Sequence, residues 1–384
     1  MQQPIENKFS IGTINNYLYN MKISEITNYL ESIAPISSQE SYDNCGLLVG
    51  DKNSEISNVL ITLDCIETTI DEAIEKKCNL IIAHHPIIFK GLKKITGKNY
   101  VERTILKAIK NNIAIYAIHT NLDNYMNGVN KKIGEKLGIK KTKILQPSLN
   151  TLCKIAVYVP KMHQNHVMEA MFNAGAGNIG HYAECSFSSS GHGTFKASAN
   201  AKPFVGEIEK RHTEDEIKIE LIVSTHQTNK VIQAMLAVHP YEEVAYDIYP
   251  LLNQNNFEGA GMIGELDSEI SEIEFLQNLK RLFGCNVIRH TSLLNKPIKR
   301  IAWCGGSGSF LLAKAIVAKA DIFITGDFKY HDFFDADNQI IIADIGHFES
   351  EQFTIELLNE LIQKKFPKFA PCLTGKITNP VNYF

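Results

Sequence analysis

The chain has 384 residues, too many for one ordinary core and enough for about two or three domains. Hydrophobic residues make up 44% and charged residues 21%, which is the balance of a globular, water-facing protein. The formal net charge of -3 argues against a general polyanion binder but leaves room for a local basic patch.

No apolar run approaches the length of a membrane span. The opening MQQPIENKFSIG lacks a basic region followed by an apolar one, so no secretory signal is expected. Cysteines at 45, 65, 78, 153, 185, 285, 304 and 372 are scattered and form no C-x-x-C pair. That pattern predicts buried free thiols in a reducing cytoplasm rather than a disulfide framework or a cysteine–zinc site.

Residues 1–20 read as an N-terminal extension. MKISEITNYLESIAP carries helical spacing and stops near Pro35. SNVLITLDC reads as a strand, ETTIDEAIEKKC as a helix and NLIIAHH as a strand, a β-α-β pattern that predicts a parallel sheet. A helix over YVERTILKAIKNN leads into the strand IAIYAIH. Residues 21–149 are therefore expected to form the first half of an α/β core.

The texture changes near residue 150. CKIAVYVP is a predicted strand and HQNHVMEAMFNAGAG a helix. YAECSFSSSGHGTFKAS reads as a strand, a Ser/Gly-rich turn and a second strand, and IKIELIVST, TNKVIQAMLAVHP and VAYDIYPL as strand, helix and strand. A β-α-β-β-α-β order predicts a ferredoxin-like α+β insert over residues 150–254. NQNNFEGAGMIG, polar and glycine-rich, reads as its boundary. From 255 to 384 the α/β texture returns: a helix IEFLQNLKRLFG, a strand IKRIAWCGG into a glycine turn, a helix SFLLAKAIVAKA, strands DIFITGD and QIIIADIG, and one long helix FESEQFTIELLNELIQKK. The simplest expectation is one α/β core built from both chain ends.

Three groups of metal-ligating residue types fall at carboxyl ends of predicted strands, the edge where open α/β sheets bind ligands. His84 and His85 follow NLIIA, His119 and Asp123 lie in HTNLD, and His347 and Glu351 lie in GHFESE. His347 and Glu351, four apart at a helix start, share one face. Adjacent histidines cannot share a face of a regular strand, but at a strand end they can reach two neighbouring ions. Imidazole with carboxylate suits zinc first, and also iron, manganese or nickel. His84, His85, Asp123, His347 and Glu351 are more ligands than one tetrahedral zinc needs and suit two ions sharing a carboxylate. Each group alone has an ordinary explanation as a hydrogen-bonded histidine or a helix-surface pair. Their convergence on one edge favours a metal centre.

Neighbouring residues admit two readings. His119 is a candidate proton carrier or a hydrogen-bonded strand-end histidine. Asp327, in ITGD, is a candidate to orient a metal-bound histidine or to cap the next helix. Asp64 and Asp344 also lie at strand ends, while Asp43 and Asn44 read as turn residues. Lys90, Lys93, Lys94 and Lys98 form a basic loop that suits a phosphate or a nucleic-acid backbone or simply a solvated surface. It is not a P-loop, because Gly91 to Gly97 is one residue too long and Asn99 stands where Ser or Thr is required. CGGSGS, Cys304 to Ser309, reads as a tight turn or an anion-binding helix start.

At these residues the chain resembles the GTP cyclohydrolase 1 type 2 homologs, the NIF-three-like family. YDNCGLLVG, ITLDC, LIIAHHPIIFKGLKKI, AIYAIHTNLDNYMNGVN, TGDFKYHD and DIGHFESEQ carry the likeness. The resemblance implies a dinuclear metal site at His84, His85, Asp123, His347 and Glu351 and a toroidal homohexamer. SFSSSGHGTF and HPYEEVAYDIYPL make the insert similar to PII and CutA proteins, as in the longer family members. The implied activity is that of a metal-dependent hydrolase, nominally opening a cyclic amidine C–N bond of a nucleotide with metal-activated water. The alternatives are a metal-containing regulatory protein that senses a ligand or partner through its insert, and a nucleic-acid-binding ring.

Overall fold

The computed structural model describes residues 21–384, so the expected extension over 1–20 lies outside the described residues. The chain divides into two compact units, one built from the chain up to Gln146 and from Glu258 to Phe384, the other from Pro147 to Phe257.

In the first unit, helix α1 (Ile23–Ile33) buries Ile23, Ile26, Thr27 and Leu30, the i, i+3, i+4, i+7 stripe of a helix with one face in the core. Strand β1 (Gly46–Val49) and β2 (Val59–Thr62), helix α2 (Glu67–Glu75), β3 (Leu80–Ala83), α3 (Tyr100–Lys110), β4 (Ala114–Ala117), α4 (Thr120–Asp123), α5 (Val129–Lys136) and β5 (Thr142–Ser148) follow. Asn99 caps α3, its side chain accepting from Glu102 N. Residues of β2, β3 and β4 are buried throughout, as continuous apolar runs in a covered parallel sheet should be.

The second unit contains β6 (Leu152–Pro160), α6 (Gln164–Asn173), β7 (Ser186–Lys196), β8 (Arg211–Ser224), α7 (Thr228–Val238) and β9 (Tyr246–Pro250). Its sheet order is β7-β8-β6-β9 with every neighbouring pair antiparallel. That is the ferredoxin-like arrangement. One detail differs from the sequence reading: there is no turn inside SFSSSGHGTF. β7 runs straight through it, paired from Ser186↔Leu221 to Lys196↔Arg211, and the reversal comes later, between Lys196 and Arg211.

The chain then returns through β10 (Asn255–Ile270), α8 (Glu272–Phe283), β11 (Arg289–His290), β12 (Ile298–Ser307), α9 (Leu312–Val317), β13 (Ile322–Gly326), β14 (Ile341–Asp344), α10 (His347–Glu351), α11 (Thr354–Lys365) and β15 (Cys372–Leu373). The glycine-rich 255–264 stretch is strand rather than loop. β12 likewise continues through Gly305 and Gly306. The expected long C-terminal helix breaks between Glu351 and Thr354.

The α/β unit, built from both chain ends as expected, holds two sheets. The first has the order β1-β4-β3-β2-β15 and the second β11-β14-β13-β12-β10-β5. Each has three parallel strands at its heart, β2–β3–β4 and β12–β13–β14. Ile61, Ile82 and Tyr116 of one share a core with Ile301, Trp303 and Ile324 of the other. Trp303 is fully buried and donates its indole N–H to Asn130 O at 2.7 Å.

Candidate metal centre

The site forms where the carboxyl ends of the parallel strands of both sheets converge. Past β3 the ladder runs on for two residues, with His84 N bonding Thr62 O and His85 N bonding Leu63 O. This anchors two consecutive histidine main chains while their ring centroids lie 4.9 Å apart. β4 delivers His119, and the short α4 delivers Asp123. After β14, Gly346 turns the chain at φ 95 and α10 presents His347 and Glu351 on one face, His347 Nε2 3.0 Å from Glu351 Oε2. Asp344 pins that turn by accepting from Phe328 N (2.9 Å) and Gly346 N (3.0 Å) and pairing with Arg289.

The five residues meet. Glu351 Oε2 lies 2.9 Å from His85 Nε2, while its Oε1 lies 3.9 Å from His84 Nε2, itself 3.5 Å from Asp123 Oδ1. Ligand atoms of His85, His347 and Glu351 lie within 4.8 Å of one another, and so do those of His84, Asp123 and Glu351. Glu351 thus belongs to two adjoining groups, each able to hold an ion. His84, His85 and His119 form a third such group.

Two observations test whether a cation fits. His84 is fully buried and its Nδ1 donates to Ile118 O at 2.8 Å, which in the neutral ring leaves a lone pair on Nε2. That Nε2 and Asp123 Oδ1 are buried with no hydrogen-bond partner. Facing acceptors buried without donors are costly unless a cation lies between them. The second observation is that every histidine here spends its Nδ1 elsewhere. His85 Nδ1 pairs with Asp64 Oδ1 (2.7 Å), His347 Nδ1 with Asp327 Oδ2 (2.6 Å) and His119 Nδ1 with Asp43 Oδ1 (2.9 Å). Such carboxylate and carbonyl partners fix the imidazole tautomer so that Nε2 faces an ion.

The electrostatics agree. Burial alone would lower the His85 pKa, yet Glu351 and Asp64 raise it to about 10. Burial would likewise lower that of His347, and Glu351 and Asp327 raise it to about 11. Burial and the neighbouring Glu351 push Asp123 up to about 7. Without a metal, then, the carboxylates around them hold protons on His85 and His347; the site demands positive charge.

Close packing adds a further constraint. A Cβ on Gly306 (φ +62) would lie 2.2 Å from Glu351 Oε1 and 3.2 Å from His347 Cε1. Glycine there lets the backbone pass against the Glu351 carboxylate, and the amides of Gly305, Gly306 and Gly308 are already taken by Asn130, Ser350 and Thr325 rather than turned to an anion. Asp43, read from sequence as a turn residue, accepts from the His119 ring, from Thr120 N (3.0 Å) and from Thr120 Oγ1 (2.5 Å). Only its place beside α4 in the fold reveals that. Asp327, with φ 59 in the left-handed region, goes to His347 rather than to a helix cap. Lys90, Lys93, Lys94 and Lys98 are all exposed.

The centre opens into a cavity of about 820 Å³. Tyr42 and Phe89 stand at one wall, ring centroids 6.1 Å apart, with Phe89 edge-on to His119 at 6.3 Å. Val287, Phe310, Val381 and Tyr383 add apolar surface. Among the described residues no helix is long and apolar enough to cross a membrane.

The profile of the Duf34/NIF3 (NGG1p interacting factor 3) family matches residues 21–380. A Bacillus subtilis protein named GTP cyclohydrolase 1 type 2 homolog is 40% identical over 348 residues, covering 89% of this chain and 93% of its own. A Staphylococcus epidermidis protein of the same name is 35% identical, covering 94% and 100%. The crystal structure of a Bacillus cereus protein related to NIF3 superposes with a TM-score of 0.82 at 36% identity, over 95% of this chain and 99% of that one. With the family pattern matched over nearly all of its length, the chain belongs to the Duf34/NIF3 family.

Proposed function

We propose that this chain is a metal-dependent hydrolase holding two divalent ions, zinc before iron, manganese or nickel. The observation that carries the reading is the buried, unpartnered His84 Nε2 facing Asp123 Oδ1 beside the shared Glu351. His84, Asp123 and Glu351 would hold one ion, and His85, His347 and Glu351 the other. Bound there, a divalent ion supplies Lewis acidity and water activation at neutral pH. Asp64 and Asp327 keep the outer histidines in the ligating tautomer. His119, aligned by buried Asp43 and lying edge-on to His84 and His85 at 5.3 and 5.2 Å, is placed to carry a proton to or from a reacting group. Phe89, edge-on to that ring, and Tyr42 beside it offer a planar substrate a face.

The relatives' name points to hydrolytic opening of a guanine amidine C–N bond. The cavity wall bears on that choice. Among the described residues it carries seven carboxylates and one guanidinium, Arg289, already tied to Asp344. Apart from the ions, the chain itself offers a polyphosphate little counter-charge inside. The test is turnover on GTP, guanosine, amides and phosphoesters, with metal supplied and with metal stripped. Metal-dependent turnover lost in Glu351→Ala is the expected result. Activity that survives both His85→Ala and Glu351→Ala overturns the proposal.

A second reading concerns the insert. Its ferredoxin-like strand order, with none of the candidate metal groups in it, suits a PII/CutA-like sensor of a small ligand or partner. The chain lacking 151–253 should then lose ligand or partner binding and keep its metal; unchanged binding removes the idea. Assembly as a cytoplasmic toroidal homohexamer is part of the same proposal, and native mass spectrometry tests it. The exposed lysines of 90–98 leave a nucleic-acid-binding ring as the less favoured alternative, to be judged by salt-dependent DNA binding.

A further inference from the structure

The last eleven residues, 374–384, reach the metal centre from outside every motif that marks it. β15 adds to the edge of the first sheet beside β2, and Thr374 N extends that pairing to Ile61 O at 3.0 Å. Glu72 on α2 then clasps the chain, accepting from Thr374 Oγ1 (2.5 Å) and Gly375 N (2.7 Å). Lys76 ties the clasp by bonding both Glu72 Oε1 (2.7 Å) and Leu373 O (2.9 Å). Farther on, Asn379 Nδ2 donates to Glu349 Oε1 at 3.2 Å, on α10. Between these anchors lies Thr378, only 8% exposed. Asn379, Val381 and Tyr383 line the cavity.

Thr378 Oγ1 donates to Asp64 Oδ2 at 2.5 Å, Asp64 Oδ1 takes His85 Nδ1 at 2.7 Å, and His85 Nε2 faces Glu351 Oε2 at 2.9 Å. The relay therefore starts on the C-terminal strap and ends on the shared carboxylate. The other group is held differently: His84 Nδ1 is fixed by the backbone carbonyl of Ile118, inside the sheet. It is also the drier one, His84 being fully buried while the His85 and His347 side chains are 20% and 35% exposed.

We infer that the C-terminal strap is a working part of the metal centre, with Thr378 a positioning residue that tunes the His85–His347 ion and leaves the His84–Asp123 ion alone. This inference rests on the two-ion reading above. Without its hydroxyl partner Asp64 gains freedom to swing, and the contact that sets the His85 ring is held less firmly. Losing the Asp64 contact outright would weaken metal binding by about 10- to 100-fold, and loosening it should cost less, several-fold and up to about 10-fold.

The experiment compares the full chain with Thr378→Val, which keeps the shape and drops the hydroxyl, and Thr378→Ser, which restores it. Each is titrated with a graded chelator while bound zinc is counted by elemental analysis, and melting is followed in parallel. Thr378→Val should release one ion several-fold, up to about 10-fold, more readily, hold the second as the wild type does, and be rescued by Thr378→Ser. Equal weakening of both ions, or of neither, overturns the inference. A wild-type chain that binds none of zinc, iron, manganese or nickel overturns the two-ion reading itself, and is told apart because it needs no variant.

Discussion

Replacing Gly306 with alanine tests the centre through a single methyl group. Gly306 sits at φ +62, where a residue with a Cβ costs about 1–2 kcal/mol. The new Cβ would also meet Glu351 Oε1 at 2.2 Å, and ordinary contact begins near 3.4 Å, so the carboxylate must retreat by 3.4 − 2.2 = 1.2 Å. Metal–ligand distances tolerate about 0.2 Å. Because Glu351 is shared, both ions should be weakened together, by at least the roughly 10- to 100-fold seen when a supporting contact is lost. Gly284→Ala is the matched control: φ is +65 and nothing lies within 4 Å of a Cβ there. It should show the backbone cost of about 1–2 kcal/mol and unaltered metal content. Denaturant unfolding of the metal-free chains, with elemental analysis after graded chelation, measures both quantities. A folded Gly306→Ala chain that holds metal as tightly as wild type would refute the placement of Glu351 at the centre.

Other expectations concern protons, catalysis and the core. In the metal-free chain His85 stands at about 10 and His347 at about 11, above the ordinary histidine value. A raised folded pKa stabilises fully below the unfolded value near ~6.5 and loses that contribution as pH climbs through the folded value. The metal-free chain should therefore lose stability between pH ~6.5 and ~11, where metal-loaded protein changes less. Zinc binding near neutral pH should release about two protons, measurable by calorimetry in buffers of different ionisation enthalpy; release of none contradicts the charge balance. His119→Ala should lower turnover by about 10²- to 10⁴-fold while elemental analysis still finds the metal. Loss of metal as well would make His119 a ligand instead. Trp303→Ala should cost about 3–5 kcal/mol, since the ring is fully buried and its N–H is bonded to Asn130 O; a shift below 1 kcal/mol in urea unfolding would mean that the two sheets do not share one core.

Much of this protein is written locally. The buried runs of β2, β3, β4, β13 and β14 have no polar face, and a chain with such runs between amphipathic helices has to bury them in parallel sheets. That logic also places His84, His85, His119, Asp123, His347 and Glu351 at strand ends before any fold is known. Glycine and serine misled in β7, which passes straight through SSSGHG because pairing with β8 outweighs a local preference; in β12 the glycines do break the ladder, its register shifting between Trp303 and Ser307 with Gly306 at φ +62.

Sequence by itself determined the residue types of the centre and the edge on which they fall, since both follow from period and spacing. Tertiary structure alone decided the rest. That the unit holds two sheets, that Glu351 belongs to both candidate groups, that Asp43 serves His119 and Asp64 serves His85, and that Thr378 reaches Asp64 across 314 positions all depend on contacts remote along the chain. Such contacts leave no local trace, because a carboxylate or hydroxyl suits many environments and only its final neighbour gives it a role.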